Sequence, residues 1–157
     1  MAENQSDPSR NVGAELESTL ESVDEAEELV LKLAVESGFA EDDLHKLGMA
    51  VREAMVNAVV HGNRYNLKKK VHFSVGVPAG EDSIEITIID EGEGFEQLEL
   101  PDPLAEENLL RQSGRGLLLI QAFVDQFSMR RADPPLGTEV KLVVKKTRES
   151  QAGGSTQ

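Results

Sequence analysis

Glu53, Asn57 and His61 stand four positions apart in the stretch REAMVNAVVHGN at 52 to 63. On a helix of 3.6 residues per turn each is rotated by about 40° from the one before, which predicts one polar stripe beside an apolar face centred on Val51, Ala54 and Ala58. Such a stripe can look into a cleft, or it can be a half-exposed flank ending in a helix-terminal histidine. Asn57 is the informative member, because asparagine inside a helix competes with the backbone for hydrogen bonds. Its amide oxygen is a hard ligand suited to Mg²⁺, which uses few protein groups and keeps water or phosphate around it. Glu53, one turn earlier, is spaced to orient or deprotonate an attacking hydroxyl.

A second stretch, DEGEGF at 90 to 95, follows the apolar run IEITII at 84 to 89. Asp90 would end a central strand at the rim of a sheet, where its carboxylate can accept a hydrogen bond from an exocyclic amine such as that of adenine. Gly92 and Gly94 permit positive φ and the close approach of a flat ring to the backbone. An acidic, glycine-rich turn is the plainer alternative. Calcium binding is not indicated, since the D-x-[DN]-x-[DN]-G pattern is not met. In the third stretch, SGRGLLLI at 113 to 120, Gly114 and Gly116 bracket Arg115 at the head of an apolar helix. Free N–H groups there favour phosphate, with Arg115 or Arg111 adding charge. Neither a Walker loop nor a Rossmann turn is present.

The elements that must position these groups follow from periodicity. Leu16, Ser18 and Leu20 suggest a short edge strand. Ser22 and Glu25 have capping-box spacing, and Val23, Ala26, Leu29, Val30, Leu33 and Ala34 then share a helical face up to Gly38. A second helix starts near Glu41 and carries Leu44, Leu47, Val51, Met55 and Ala58 before Gly62. Val71, Phe73, Val75 and Val77 alternate with polar or small residues as a half-buried strand, and a turn leads into the 84 to 89 strand. Residues 96 to 113, with Pro101 and Pro103, form a long connection of the kind that serves as a lid. A helix with Leu117, Ile120, Phe123 and Val124, a strand near 127 to 131 and a strand from Thr138 to Val144 complete an α/β two-layer sandwich, expected as a mixed β-sheet with helices on one face.

The chain has 157 residues with 16 Lys and Arg against 29 Asp and Glu, a formal charge of −13. That length suits one domain. The acidity disfavours direct nucleic-acid binding and anionic membranes, and Lys68-Lys69-Lys70 reads as a solvated loop. With no cysteine, disulfides and thiolate chemistry are excluded. No signal peptide or membrane span is apparent, which gives a cytoplasmic expectation. Polar composition suggests disordered tails at 1–12 and 148–157 around a domain at 13–147.

Taken together and in order, EAMVNAVVHG, DEGEGF, GRGL and GTEV resemble the ExxxNAxxHG, DxGxGF, GxGL and GTxV motifs of the Bergerat-type ATP-binding fold shared by histidine kinases, DNA gyrase, Hsp90 and MutL. Within this GHKL group the pattern is most similar to the anti-sigma-factor serine/threonine kinases. The resemblance implies ATP and Mg²⁺ as cofactors, with Asn57 as the metal ligand, Asp90 reading the adenine amine and Glu53 as general base. It implies that Gly92 and Gly94 shape the adenine side and that Gly114, Arg115, Gly116 and Leu117 line the phosphate side. Thr138 would contact adenine directly or through water, and Arg111 would point from the lid at the γ-phosphate. Residues 1 to 40 precede the Asn57 helix, too short a stretch for the phospho-accepting hairpin of sensor histidine kinases. The implied function is therefore that of an anti-sigma factor kinase which phosphorylates a small STAS-type antagonist protein, binds a sigma factor and forms a homodimer. The alternative is a non-catalytic ATP-gated binding regulator of the same fold, which would have no need of Glu53.

Overall fold

The computed structural model describes residues 10–78, 82–92, 116–134 and 136–147. The chain runs β1 (Arg10–Glu17), α1 (Leu20–Glu36), α2 (Glu41–Val56), a π-helical turn (Asn57–Gly62), β2 (Lys70–Val77), β3 (Ser83–Ile89), α3 (Gly116–Phe123), β4 (Gln126–Ala132) and β5 (Gly137–Lys145). β1 reaches back to Arg10, so Arg10, Asn11 and Val12 pair with Val77, Gly76 and Val75 where a polar tail was expected to residue 12.

The strands form one sheet in the order β1-β2-β3-β5-β4, and every pairing among the described residues is antiparallel. The expected two-layer α/β sandwich is present, but the expected mixed sheet is not. The α3 crossover does carry the chain from β3 to a strand, β4, that runs in the same direction as β3. It lands one position too far for the two to pair, and β5 fills the gap antiparallel to both. β3 is consequently central, with Ile84, Ile86 and Ile88 all at most 1% exposed.

Those isoleucines meet Phe73 and Val75 of β2 and Val140, Leu142 and Val144 of β5 on the inner face, where the helices lie. The opposite face shows Ser74, Glu85 and Lys141 to solvent. Burying each large aliphatic side chain contributes about 1.5–3 kcal/mol, so this one face dominates the drive to fold. α1 packs on α2, and α2 on α3.

Local signals set the helix ends. Thr19, not Ser22, caps α1: its hydroxyl accepts the Ser22 N–H, and Ser22 is itself buried in the first turn. At the other end Gly38 has φ of 89°, Gly38 N–H donates to Val35 C=O and Phe39 N–H to Ala34 C=O, a Schellman closure. Asp43, 1% exposed in the first turn of α2, accepts from both N–H and Oγ1 of Thr147 at 2.9 and 2.8 Å. This joins the end of β5 to the start of α2. No helix among the described residues is long and apolar enough to cross a membrane.

Candidate functional site

The helix that carries Glu53 and Asn57 does not hold its period to the end. From Asn57 to Gly62 it widens into a π-helical turn, and Asn63 N–H reaches back five residues to Ala58 C=O at 2.8 Å. Such single wide turns inside α-helices often mark functional sites. The stripe is divided as a result. Glu53 and Asn57 are half-buried, whereas His61 is exposed and is not gathered with them. Among the described residues Asn57 Nδ2 is buried with no hydrogen-bond partner. An unpaired buried amide costs about 1–3 kcal/mol unless another group binds it. Glu53 has no hydrogen-bonding or ionic partner among the described residues; its neighbour Arg52 turns the other way, onto Asp24 and Glu27 at 2.8 and 2.7 Å.

The same wide turn ends on Gly62, which lies against the end of β3. A Cβ on Gly62 would overlap the Asp90 carboxylate at Oδ2. Asp90 is 5% exposed and follows directly on the central strand. Its N–H donates to Thr138 C=O at 3.0 Å, continuing the β3–β5 ladder by one step. Its Oδ1 accepts the N–H groups of Gly92 at 2.9 Å and Thr138 at 3.1 Å. One carboxylate oxygen is thus fully used by the backbone, and the other faces Gly62. Burial pushes the Asp90 carboxyl above the ordinary aspartate range, against the pull of the Gly92 and Thr138 N–H groups and of Lys69, with a smaller upward push from Glu91.

Two more glycines make this arrangement possible. A Cβ on Gly92 would run into the Gly62 carbonyl, and one on Gly137 into the Asp90 carbonyl. Gly92 is free to take positive φ but does not use that freedom; among the described residues the only glycine with positive φ is Gly38. What Gly92 supplies is room for the protein's own backbone, so the 62 and 92 segments touch.

The structure therefore brings Gly62, Asp90, Gly92 and Thr138 together at one end of β3; Asn57 opens the π-helical turn that Gly62 closes, with Glu53 one turn back on the same helix. Gly94, Arg111, Gly114 and Arg115 lie outside the described residues, as does the whole of the expected 96 to 113 lid. Gly116 and Leu117 open α3, which packs on α2. Sequence reasoning passed over Gly62 and Gly137, although both stand inside the quoted motifs, as the last residue of NAVVHG and the first of GTEV. It also passed over Asn63, which is 1% exposed behind Asp90. Among the described residues no cluster of three His, Cys, Asp or Glu side chains could hold a metal ion. A cation at this site would depend on the Asn57 amide and on ligand oxygens, as suits Mg²⁺.

Residues 16–144 match the family described as histidine kinase-like ATPase domain. An anti-sigma F factor of Bacillus subtilis (strain 168) is 34% identical over 103 residues, covering 64% of this chain and 68% of the relative. A serine-protein kinase RsbW of Oceanobacillus iheyensis is 36% identical over 94 residues, which span 56% of this chain and 58% of the relative. The solved structure of the RsbU and RsbW domains of Rv1364c from Mycobacterium tuberculosis superposes with a TM-score of 0.61 at 19% identity. That match covers 87% of this chain and 32% of the longer one, and it shows the shared fold.

Proposed function

The chain belongs to the histidine kinase-like ATPase family, and within it to the anti-sigma-factor kinase group; on that premise we propose that it is an ATP-dependent serine/threonine protein kinase that acts as an anti-sigma factor. Its substrate is a small antagonist protein of the STAS type. In the dephosphorylated state that antagonist displaces a sigma factor held by a homodimer of this chain, and phosphorylation sends it away. ATP and Mg²⁺ are the cofactors.

One observation carries the reading. Gly62 ends the helical run that bears Glu53 and Asn57, and it also touches the buried carboxylate of Asp90. That contact ties the segment carrying the proposed phosphate-side amide to the proposed base-reading acid, which supports a shared site. Asp90, with Oδ1 occupied by backbone N–H groups, offers its other oxygen to the adenine amine, and Thr138 stands beside it for a second contact. Gly92 lets the Gly62 backbone pack against the segment that follows Asp90, and Gly94 would keep the adenine side open. Asn57 would hold Mg²⁺ through its amide oxygen, leaving its buried Nδ2, unpaired among the described residues, to meet an acceptor on the ligand. Bound there, the ion would supply charge neutralisation at the phosphate oxygens, the main requirement of phosphoryl transfer. Gly114, Arg115, Gly116 and Leu117 close the phosphate side, and Arg111 adds charge from the lid.

Glu53 takes the proton from a serine or threonine hydroxyl of the antagonist as that oxygen bonds to the γ-phosphorus. The bond from phosphorus to the β–γ bridging oxygen breaks, and ADP leaves with the electron pair. A general base of this kind contributes about 10²–10⁴-fold. The test is a pull-down from native lysate with and without Mg-ATP, followed by phosphosite mapping of the retained protein and by labelling with Glu53→Gln. Transfer to a Ser or Thr of a small retained protein, lowered by at least about 100-fold in Glu53→Gln, is expected. A protein that binds ATP but labels nothing, and behaves alike with Glu53 or Gln, would be an ATP-gated binder and not a kinase.

A further inference from the structure

Asn63 has no part in the reaction just described, yet it is as well buried as any core residue, at 1% exposure. Its three side-chain hydrogen bonds go to three separate segments. Nδ2 donates to Ser18 Oγ at 2.9 Å, between β1 and α1, and to the Lys70 C=O at 3.0 Å, at the head of β2. Oδ1 accepts the Glu91 N–H at 2.8 Å. The amide can sit only one way round, because the Lys70 carbonyl only accepts and the Glu91 N–H only donates.

Glu91 N–H belongs to the peptide that follows Asp90. Asp90 N–H is held by Thr138, and Asp90 Oδ1 by Gly92 and Thr138. The peptide between residues 90 and 91 is thus anchored from the side opposite Thr138 by Asn63, and its orientation sets where the second carboxylate oxygen of Asp90 points. The π-helical turn makes this possible by delivering Asn63 to the sheet with its backbone N–H still paired to Ala58. Buried and fully paired, the amide is a rigid strut in a low-dielectric setting where such bonds are strongest.

We propose that Asn63 is a positioning residue for nucleotide selection: by fixing the 90–91 peptide it aims the free oxygen of Asp90 at the exocyclic amine of adenine. The inference rests on the nucleotide reading given above. It predicts that Asn63 acts on the amine alone and leaves phosphate binding untouched.

The test compares Mg-ATP with the Mg²⁺ complex of purine riboside triphosphate, in which hydrogen replaces the amino group. Dissociation constants are measured by calorimetry for wild type and Asn63→Asp. That substitution keeps the size and the acceptor for Glu91 but puts a second acceptor against the Lys70 carbonyl. Wild type should prefer ATP by about 10- to 100-fold, the worth of a hydrogen bond to a charged group. In Asn63→Asp the preference should collapse toward unity, with affinity for the analogue retained. Ser18→Ala removes one of the two acceptors of the amide's Nδ2, and should lower the preference by about 2- to 10-fold, as for loss of one neutral hydrogen bond. It supplies the answer should Asn63→Asp not fold. Equal weakening of both triphosphates in the variants would show a purely structural residue and overturn the proposal, as would an unchanged preference. A wild type that binds both triphosphates alike would instead remove the role of Asp90, and this inference with it.

Discussion

At the scale of single residues, Asp90 is asked to do two things that conflict. It must be ionised to accept strongly from an amine, yet burial disfavours its charge. A carboxyl whose folded pKa is raised contributes stability that is present below its unfolded pKa and lost as pH rises through the folded value. Ionised Asp90 therefore opposes folding near neutrality. Asp90→Asn keeps an oxygen for the Gly92 and Thr138 N–H groups and discards the charge. Without nucleotide, its melting temperature at pH 7 should equal or exceed that of wild type, and any excess should vanish below about pH 4, where wild type is protonated. Its ATP affinity should fall by about 10- to 100-fold. Wild-type affinity should begin to weaken on acidification at a pH above the ordinary aspartate range, and calorimetry with Asp90→Asn as reference corrects for titration of the nucleotide itself. A variant that melts clearly below wild type at pH 7 would mean that the carboxylate is there for the fold. Asp90 and Asn57 were legible in the sequence because each breaks a local rule, an acid at the end of an apolar strand and an amide inside a helix. Asn63 breaks none. It reads as an ordinary residue after a helix-ending glycine, and its bonds reach partners 45, 7 and 28 positions away.

At the scale of elements, the apolar period located the three α-helices among the described residues and the strands after Gly62, since burial on one face is what the period records. It failed where geometry departs from 3.6 residues per turn. Carried through to His61, the four-residue stripe is a fact about an α-helix, and the chain from Asn57 onward is not one. Hydrogen bonding likewise moved the α1 cap from Ser22 to Thr19, because Ser22 is needed inside the first turn. Strand neighbours were the least legible, as pairing depends on where a crossover lands. These distinctions can be separated experimentally. Thr19→Ala removes a cap and should lower the unfolding free energy by about 1 kcal/mol in urea titrations, with ATP affinity unchanged. Gly62→Ala adds one methyl group at a residue with ordinary φ, so any cost comes from overlap with Asp90. Overpacking of this kind costs about 1–3 kcal/mol, and here it should also weaken ATP binding by at least about tenfold, because the displaced atom is the one offered to the base. Retained affinity in Gly62→Ala would argue against a shared hollow at Gly62 and Asp90.

At the scale of the whole molecule, a formal charge of −13 surrounds a site proposed for a polyanion. The described surface answers its charges mainly with each other, as in Arg52 with Asp24 and Glu27 and Arg130 with Glu139, and leaves the excess acidic. Like charge on protein and ligand repels at long range, and salt screens that repulsion beyond about 10 Å at 0.1 M. Close contacts within the hollow are screened far less. The two ranges separate in kinetics, since long-range fields govern encounter and short-range bonds govern escape. Stopped-flow association of a fluorescent ATP analogue with Mg²⁺ should therefore speed up as monovalent salt rises from about 10 to 150 mM, a change in Debye length from about 30 to 8 Å, while the dissociation rate stays nearly constant. A basic nucleotide-binding protein would show the reverse. If association slows with added salt, the field felt by the nucleotide is positive despite the net charge.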